Sequence, residues 1–278
     1  MRSSVEDAGL VGRRSSTSRT GMSIEADELQ ALARLSHREG RLLRLAISGG
    51  PLTSLAVAAI DDDLDDPERA IREEIAAACW AQYGSGNFDG ALIGAVEFSA
   101  EENKISYRPI RYRDYLATST IVETTEACRF PLAVGIHALI VHDGAALTLT
   151  LPDGRIGIPG GAVDLADFRE NPDFGFSTAI AREVKEETGL DVGHERMVLT
   201  GAYIGGAPIH LLLFVLIERS DPIDPTKIAV SAGDDYETIE GAALTLLSDL
   251  YESVPGATLS LRGSIASCRI YTENRSLW

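Results

Sequence analysis

The chain has 278 residues, a formal net charge of −17 at pH 7 and a sequence pI of about 4.7. Its 45% hydrophobic and 24% charged residues are typical of a globular protein with one large or two ordinary domains. The acidic balance argues against polymeric DNA or RNA as a partner, because phosphate neutralisation needs basic patches. The acidic charge does not exclude small phosphorylated ligands, since a bound metal ion supplies positive charge locally.

The cysteines and the apolar runs indicate the compartment. Cys79, Cys128 and Cys268 are few, odd in number and far apart. They predict free thiols in a reducing environment, and not a disulfide frame or a zinc site, so we expect a cytoplasmic protein. The longest apolar run, Leu211–Ile217, is too short to cross a bilayer, which needs about 20 helical residues. It predicts a buried strand, and no membrane partner is expected.

The chain opens with a segment rich in Ser, Thr, Arg and Gly, which predicts a disordered tail over residues 1–22. A targeting segment and a start at Met22 are the alternatives. A smaller α+β region is expected over 23–124. Its predicted elements are a helix after Ser23, a helix from about Pro67 to Gln82, and extended stretches at 91–98 and 105–115.

The second extended stretch carries a dense strip of arginines and tyrosines. Arginine forks suit phosphate, and tyrosine rings can stack on a base or a sugar. The alternative, favoured for any single residue, is a strand edge with arginines that reach to solvent. The strip consists of Tyr107, Arg108, Arg111, Tyr112, Arg113 and Tyr115.

Residues 125–278 predict a β-rich domain wrapped around a strand–loop–helix unit. Residues 155–159 lead into Gly160-Gly161, and a helix capped by Ser177 is expected to end at Gly189. The predicted strands lie at 132–142, 146–151, 197–204 and 210–217.

The end of that helix carries three carboxylates, Glu183, Glu186 and Glu187. Residues three and four apart share a helix face, and like charges there repel by about 0.2–0.5 kcal/mol per pair. The helix dipole also disfavours anions in the last turn. A cation between the carboxylates would offset both costs, and hard oxygen ligands suit Mg²⁺ or Mn²⁺. A solvated helix end is the alternative.

Gly160-Gly161 followed by Arg182–Leu190 resembles the Nudix hydrolase signature. The second half, Arg-Glu-Val-Lys-Glu-Glu-Thr-Gly-Leu, matches at every fixed position. The first half departs, because Arg182 stands 21 residues after Gly161, a longer interval than in the family. The insertion falls within 165–176, which either forms a lid over the site or covers the helix. The family's first glutamate is also missing, and its substitutes could be Asp164, Asp167, Glu170 or Asp173.

The resemblance implies a Nudix α/β/α sandwich with a mixed sheet and a metal-dependent hydrolase of phosphorus anhydrides. It places one to three Mg²⁺ or Mn²⁺ ions on the three glutamates and the Gly161 carbonyl. Arg182 would hold the carboxylates in place. Glu237 and Glu240 correspond to an acidic residue that often contributes to metal binding or activates water. A soluble loop that begins a helix is the alternative for these two.

A second, shorter resemblance ranks the substrates. Phe88-Asp89-Gly90, a strand pair and Tyr112–Thr118 look similar to the leader of two-part Nudix proteins that cleave UDP-sugars. A UDP-sugar is therefore the first substrate expected, and ADP-ribose or a dinucleotide the second, with a nucleoside monophosphate as product. A non-catalytic nucleotide-binding sensor is the alternative function. The sequence leaves the oligomeric state open, with a homodimer as one option.

Overall fold

The computed structural model describes residues 23–46, 50–60, 68–83, 89–99, 102–125, 128–169, 171–228, 239–252 and 254–274. The predicted tail, residues 1–22, lies outside these ranges. So does Glu237, one of the two candidate acids of the late loop. Within the described ranges, no helix is long and apolar enough to cross a membrane.

The described ranges contain strands and helices throughout their length. The strands are β1 Ser23–Ile24, β2 Leu43–Ala46, β3 Ala56–Ala59, β4 Ala91–Ser99, β5 Lys104–Arg111, β6 Leu132–His142, β7 Ala145–Thr150, β8 Ile156–Gly157, β9 Gly160–Ala162, β10 Arg196–Gly205, β11 His210–Glu218 and β12 Gly241–Leu246. The helices are α1 Ala26–Glu39, α2 Arg69–Tyr83, α3 Tyr112–Thr124, α4 Gly175–Thr188, α5 Leu247–Glu252 and α6 Leu259–Asn274.

The strands form one mixed sheet with the order β2-β10-β11-β6-β4-β5-β3 along its main path. β11 runs parallel to β6, whereas β10 pairs antiparallel with β11 and β4 pairs antiparallel with β6. Strands from both predicted regions, 23–124 and 125–278, are thus hydrogen-bonded in the same sheet. Their division into two units stays a prediction.

Helices cover both faces of this sheet, which explains the continuous apolar run of β11. One set of β11 side chains, including Leu213 and Val215, shares a core with Val184 of α4. The alternate set, represented by Leu216, packs with Leu261 of α6. A strand buried on both faces needs apolar residues at every position. The predicted α/β/α sandwich with a mixed sheet is confirmed.

Two elements of the N-terminal region differ from the sequence prediction. The extended stretch expected over 105–115 ends at Arg111, and α3 begins at Tyr112. The Arg111 N–H donates to the Asp114 carboxylate at 2.7 Å, which caps the first turn. α3 therefore carries half of the arginine–tyrosine strip on a helix and not on a strand. α4 likewise begins at Gly175, not after Ser177.

The end of the chain holds two elements that the sequence analysis did not identify. β12 pairs with β7 over Gly241–Leu246, where the alternative interpretation of Glu237 and Glu240 expected a helix to begin. α6 follows at Leu259–Asn274 and supplies the second helical layer. All three cysteines are buried and free, as the sequence indicated.

Candidate active site

α4 positions the glutamates because its inner face is anchored in the core. Ile180 and Val184 are fully buried, and both lie on this face. The helix ends at Gly189, whose φ of 74° is left-handed and whose N–H donates to the Lys185 carbonyl at 2.9 Å. Glu183, beside Val184, is then directed toward the glycines of β9. Glu187, one turn later, lies on the same side.

β9 can approach the helix closely because it consists of small residues. Its strand pairing with β6 sets Gly161 opposite Ile136. A Cβ added at Gly161 would lie 2.5 Å from Glu183 Oε2, so no larger residue fits without displacing that carboxylate. The Gly160 N–H donates to Glu187 Oε2 at 3.0 Å. The glycine pair therefore holds both glutamates against the strand.

Arg182 connects the helix to the preceding loop. Its Nη1 donates to Glu183 Oε1 at 2.8 Å and to Glu186 Oε2 at 3.2 Å. Its Nη2 donates to the Ala162 carbonyl at 3.2 Å. Its Nε and Nη2 each donate to one oxygen of Asp167, both at 3.1 Å. The guanidinium thus ties the glutamates, β9 and the inserted loop together through charge-assisted hydrogen bonds.

Of the three described acids among the four that the resemblance offered in place of its first glutamate, Asp167 makes the closest contacts with Arg182. Its side chain is 5% exposed, and it also accepts the Asp164 N–H at 3.1 Å. Asp164 itself is 3.8 Å from Arg182 and 41% exposed. Asp173 is exposed, and Glu170 lies outside the described residues.

The inserted segment packs against the helix. Phe168 and Phe176 are buried, with their rings edge to face at a centroid distance of 5.1 Å. Gly175 lies between them in sequence, and a Cβ there would collide with the Phe168 ring. None of the described residues in 165–176 lines the cavity of about 440 Å³ onto which Glu183 and Glu187 open, which is called the carboxylate cavity below. This placement favours the helix-covering alternative over the lid.

Burial changes the ionisation of these groups. It raises the pKa of Glu183 to about 7, although the neighbouring Arg182 guanidinium acts in the opposite direction. The pKa of Asp164 is raised as well, again mainly by burial. For Arg182 burial acts to lower the pKa, but the surrounding carboxylates outweigh it, and the net shift is upward.

The two glutamates open onto a cavity of about 440 Å³. Its walls come from α3, α4, β6, β9, β11 and the start of α6. Tyr112 and Tyr115 of α3 form an edge-to-face pair at 5.5 Å on one side. Other residues that line the cavity are Arg155, Gly160, Gly161, Glu183, Glu187 and Ile239.

Two histidines that the sequence analysis did not name as candidates, His137 and His210, also line this cavity. His137 Nε2 lies 3.2 Å from Ser260 Oγ, and burial lowers the pKa of His137 to about 3. His210 Nδ1 donates to the Pro208 carbonyl at 2.8 Å, and its ring stands edge-on to Tyr115 at 5.6 Å. Both lie on strands, and only their tertiary placement connects them with the glutamates.

The remaining candidates lie further from the cavity. Glu186 reaches Arg182, but its side chain is 59% exposed. Glu240 is exposed, and its backbone N–H donates to the Thr150 carbonyl at 2.8 Å, which places it at the edge of β7. Ile239, its neighbour, faces the cavity instead.

A divalent cation such as Mg²⁺ requires oxygen donors arranged around one point. In the part of the chain that the structure describes, no three His, Cys, Asp or Glu side chains are arranged as a ready metal site. Glu183 and Glu187 nevertheless face the same cavity beside Gly161. Mg²⁺ commonly binds through one or two carboxylates, with waters and substrate phosphates completing its shell. The pair of glutamates fits that mode.

Comparisons with known proteins gave structural likenesses only. No family model and no curated protein matches the chain. A MutT Nudix hydrolase from Burkholderia pseudomallei is 23% identical over 49% of this chain and 96% of its own, with a TM-score of 0.37. A MutT protein from Methanosarcina mazei Go1 is 22% identical over 51% and 94%, also at 0.37.

A third solved structure is the Nudix domain of Shewanella oneidensis NrtR, complexed with ADP ribose. It is 12% identical over 55% of this chain and 97% of its own, with a TM-score of 0.40. At these scores and identities the likenesses carry no argument about activity.

Proposed function

We propose that the chain is a Nudix-type hydrolase that cleaves the diphosphate linkage of a nucleoside diphosphate joined to another moiety. One observation carries the proposal. Glu183 and Glu187 project from one helix face into a cavity of about 440 Å³, beside a glycine pair that leaves them room. The cavity is large enough for a nucleotide-sized ligand.

Mg²⁺ or Mn²⁺ fits the hard carboxylate oxygens of Glu183 and Glu187 and the carbonyl oxygen of Gly161. When bound there, such an ion would neutralise phosphate oxygens and lower the pKa of a water molecule. Glu186, at the exposed rim, is the third carboxylate that the resemblance assigns. The described structure supports its role less directly, because it contacts Arg182 and does not line the cavity.

The chain's own residues contribute position and proton transfer. Arg182 holds Glu183 through a 2.8 Å hydrogen bond, and the Gly160 N–H orients Glu187. One carboxylate of this pair accepts the proton of the attacking water, the role of a general base. Buried Asp167 fixes the arginine and so acts as a positioning residue.

The tyrosines of α3 suit a nucleotide substrate of either class that the leader suggested. Tyr112 and Tyr115 line the cavity and can pack against a base or a sugar ring. A UDP-sugar is the first substrate proposed and ADP-ribose or a dinucleotide the second. Release of UMP or AMP together with a phosphorylated remainder is the expected outcome.

The experiment measures product release from UDP-glucose, UDP-galactose, ADP-ribose, NADH, diadenosine polyphosphates and nucleoside triphosphates. Each is incubated with Mg²⁺, with Mn²⁺ or with EDTA. Cleavage of one substrate class that stops in EDTA supports the proposal. Thermal stabilisation by a nucleotide without cleavage of any substrate would instead indicate the sensor.

Two variants tie the activity to the site. Glu187→Gln should melt as the parent does and lose most turnover, because an amide neither accepts the proton nor carries the charge. The matched control is Glu252→Gln at an exposed position of α5. Unchanged turnover in Glu187→Gln, at a melting temperature equal to that of the parent, would contradict the assignment of Glu187 to the active site.

A further inference from the structure

The carboxylate cavity has a wall that the proposed hydrolysis leaves unused. It consists of His137, His210 and Ser260, which all line the cavity and are called the histidine wall below. Gly135 and His137 are two residues apart on β6 and so share one face of the sheet. A Cβ added at Gly135 would lie 3.0 Å from His210 Cδ2. The absence of a side chain there leaves room for the His210 ring on the same face as His137.

The histidine wall adjoins the glutamates. In the pairing of β6 with β9, His137 lies opposite Gly160. The Gly160 N–H donates to Glu187 Oε2 at 3.0 Å. A ligand that fills the cavity therefore contacts both the glutamates and the histidine wall.

His210 presents a hydrogen-bond acceptor to the cavity. Its Nδ1 lies 2.8 Å from the Pro208 carbonyl, which can only accept, so Nδ1 carries a proton. Burial lowers the pKa of His210, so the ring is neutral at pH 7 and Nε2 keeps a lone pair. Within the described ranges, Nε2 has no hydrogen-bonding partner. It lies beside Gly135, another lining residue, whose added Cβ would be 3.4 Å away.

Ser260 presents a hydrogen-bond donor. Its Oγ lies 3.2 Å from His137 Nε2, whereas His137 Nδ1 is buried and has no partner among the described residues. Buried N–H groups without an acceptor are rarer than buried acceptors without a donor. We therefore assign the single proton of the neutral His137 ring to Nε2, which donates to Ser260 Oγ. The hydroxyl hydrogen of Ser260 is then available to a ligand.

An uncharged acceptor and an uncharged donor select the chemistry of the ligand. An ionised phosphate oxygen can accept from Ser260, but it has no hydrogen to donate to His210 Nε2. A sugar hydroxyl both donates and accepts, so it matches both groups. The ring of Tyr115, edge-on to His210 at 5.6 Å, adds an aromatic surface that suits a sugar ring.

We propose that the histidine wall binds hydroxyl groups of a sugar in the substrate, with His210 Nε2 accepting from one hydroxyl and Ser260 donating to one. This assignment rests on the proposed function, which puts the diphosphate at Glu183 and Glu187 of the same cavity. It makes His210 and Ser260 residues that determine specificity.

Titration calorimetry with Mg²⁺ on the full chain tests the assignment. The ligands are UDP-glucose, UDP and 2′,3′-dideoxy-UDP in which a methylene group replaces the oxygen between the two phosphorus atoms. The same series is built on ADP-ribose, ADP and 2′,3′-dideoxy-ADP. The methylene bridge resists hydrolysis, so binding is measured whether or not the chain turns its substrate over. The hydrolysis itself is tested separately by product release from the natural substrates.

Two variants remove one partner each. His210→Asn keeps an amide N–H for the Pro208 carbonyl and loses the acceptor at Nε2, whereas His210→Gln places a carbonyl oxygen near that position. Ser260→Ala removes the donor. His210→Asn and Ser260→Ala should each weaken the sugar ligand about three- to tenfold, and His210→Gln should recover part of the loss. His194→Asn and Ser248→Ala, at exposed positions outside the cavity, are the matched controls and should change affinity less than about twofold.

The ligand series identifies which sugar is bound. A loss confined to the UDP-glucose and ADP-ribose analogues assigns the wall to the terminal sugar. A loss that extends to the UDP or ADP analogue and disappears with its dideoxy counterpart assigns it to the nucleoside ribose, and both results support the proposal. An equal loss with the dideoxy ligands would assign the wall to the base and overturn it. Unchanged affinity in both variants, or no binding of any analogue, would also overturn it. Cleavage of a natural substrate alongside such a result would leave the hydrolysis intact. If one variant has a lowered melting temperature, the other still tests the wall.

Discussion

Asp167→Asn is the sharpest perturbation of the active-site framework. The side chain is 5% exposed and accepts two hydrogen bonds from Arg182, at 3.1 Å each, and one from the Asp164 N–H. The amide keeps the volume but has one acceptor oxygen in place of two. It also carries an NH₂ group that must face a donor, so at least one bond to Arg182 is lost.

The size of the effect follows from these contacts. Hydrogen bonds to charged groups contribute about 1.5–3 kcal/mol, and breaking a fully buried ion pair costs about 3–5 kcal/mol. Arg182 is 27% exposed and keeps its bonds to Glu183 and Glu186, so its charge is not stranded. We therefore expect a loss of about 2–3 kcal/mol in the free energy of unfolding. At about 2–4 °C per kcal/mol, the melting temperature should fall by roughly 5–10 °C.

The assay combines thermal melting with steady-state kinetics on whichever substrate the panel identifies. Misplacement of Arg182 shifts Glu183, and kcat should fall about 10- to 100-fold. Asp173→Asn is the matched control at an exposed position of the same segment. If Asp167→Asn has the melting temperature of the parent while that of Asp173→Asn is lower, Asp167 is not the residue that fixes the arginine.

The remaining predictions concern a glycine and a histidine of the site. Gly161→Ala should abolish most turnover, since its Cβ would lie 2.5 Å from Glu183 Oε2; Gly193→Ala, whose Cβ meets no atom closer than 3.6 Å, is the control in the same assay. Burial lowers the pKa of His137 from 6.5 to about 3. Between these two pH values the unfolded chain binds a proton at this histidine that the folded chain does not. The free energy of unfolding should therefore decrease as the pH falls below 6.5. The His137 contribution to this loss between pH 7 and pH 5 should be about 2 kcal/mol, measured by denaturant unfolding as the difference between the parent and His137→Asn, because the raised pKa of Glu183 acts in the opposite direction over the same range. His137→Asn should reduce this slope, and an unchanged slope would show that the imidazole does not carry it.

Periodicity was sufficient where an element is long and its burial is uniform. β6 begins and ends at the predicted residues, 132 and 142, and β11 was predicted to within one residue. Both are buried on two faces, so apolar residues run without a break through Leu211–Ile217 of β11, and in β6 they are interrupted only by Gly135 and His137 before the last residue. The end of α4 was predicted equally well, because helices commonly end at a glycine with a positive φ, as α4 does at Gly189.

Periodicity failed where a tertiary or capping contact decides between alternatives. The alternation from Ile105 to Tyr115 fits a strand, but the Asp114 cap on the Arg111 N–H starts a helix inside it. The helix α6 is a different case, because Leu261, Ile265, Cys268 and Tyr271 recur at helical spacing and pack together, so its stripe was present in the sequence and was overlooked. His137 and His210 meet the glutamates only through the sheet, which no local pattern records.

The insertion explains how the site tolerates its departure from the family pattern. An acid at Asp167 can reach Arg182 because Phe168, anchored against Phe176 and over Gly175, fixes the position of the residue before it. The segment therefore supplies both the substitute carboxylate and its own packing. The glutamates that face the cavity stay on α4, whose inner face is independent of the insertion's length.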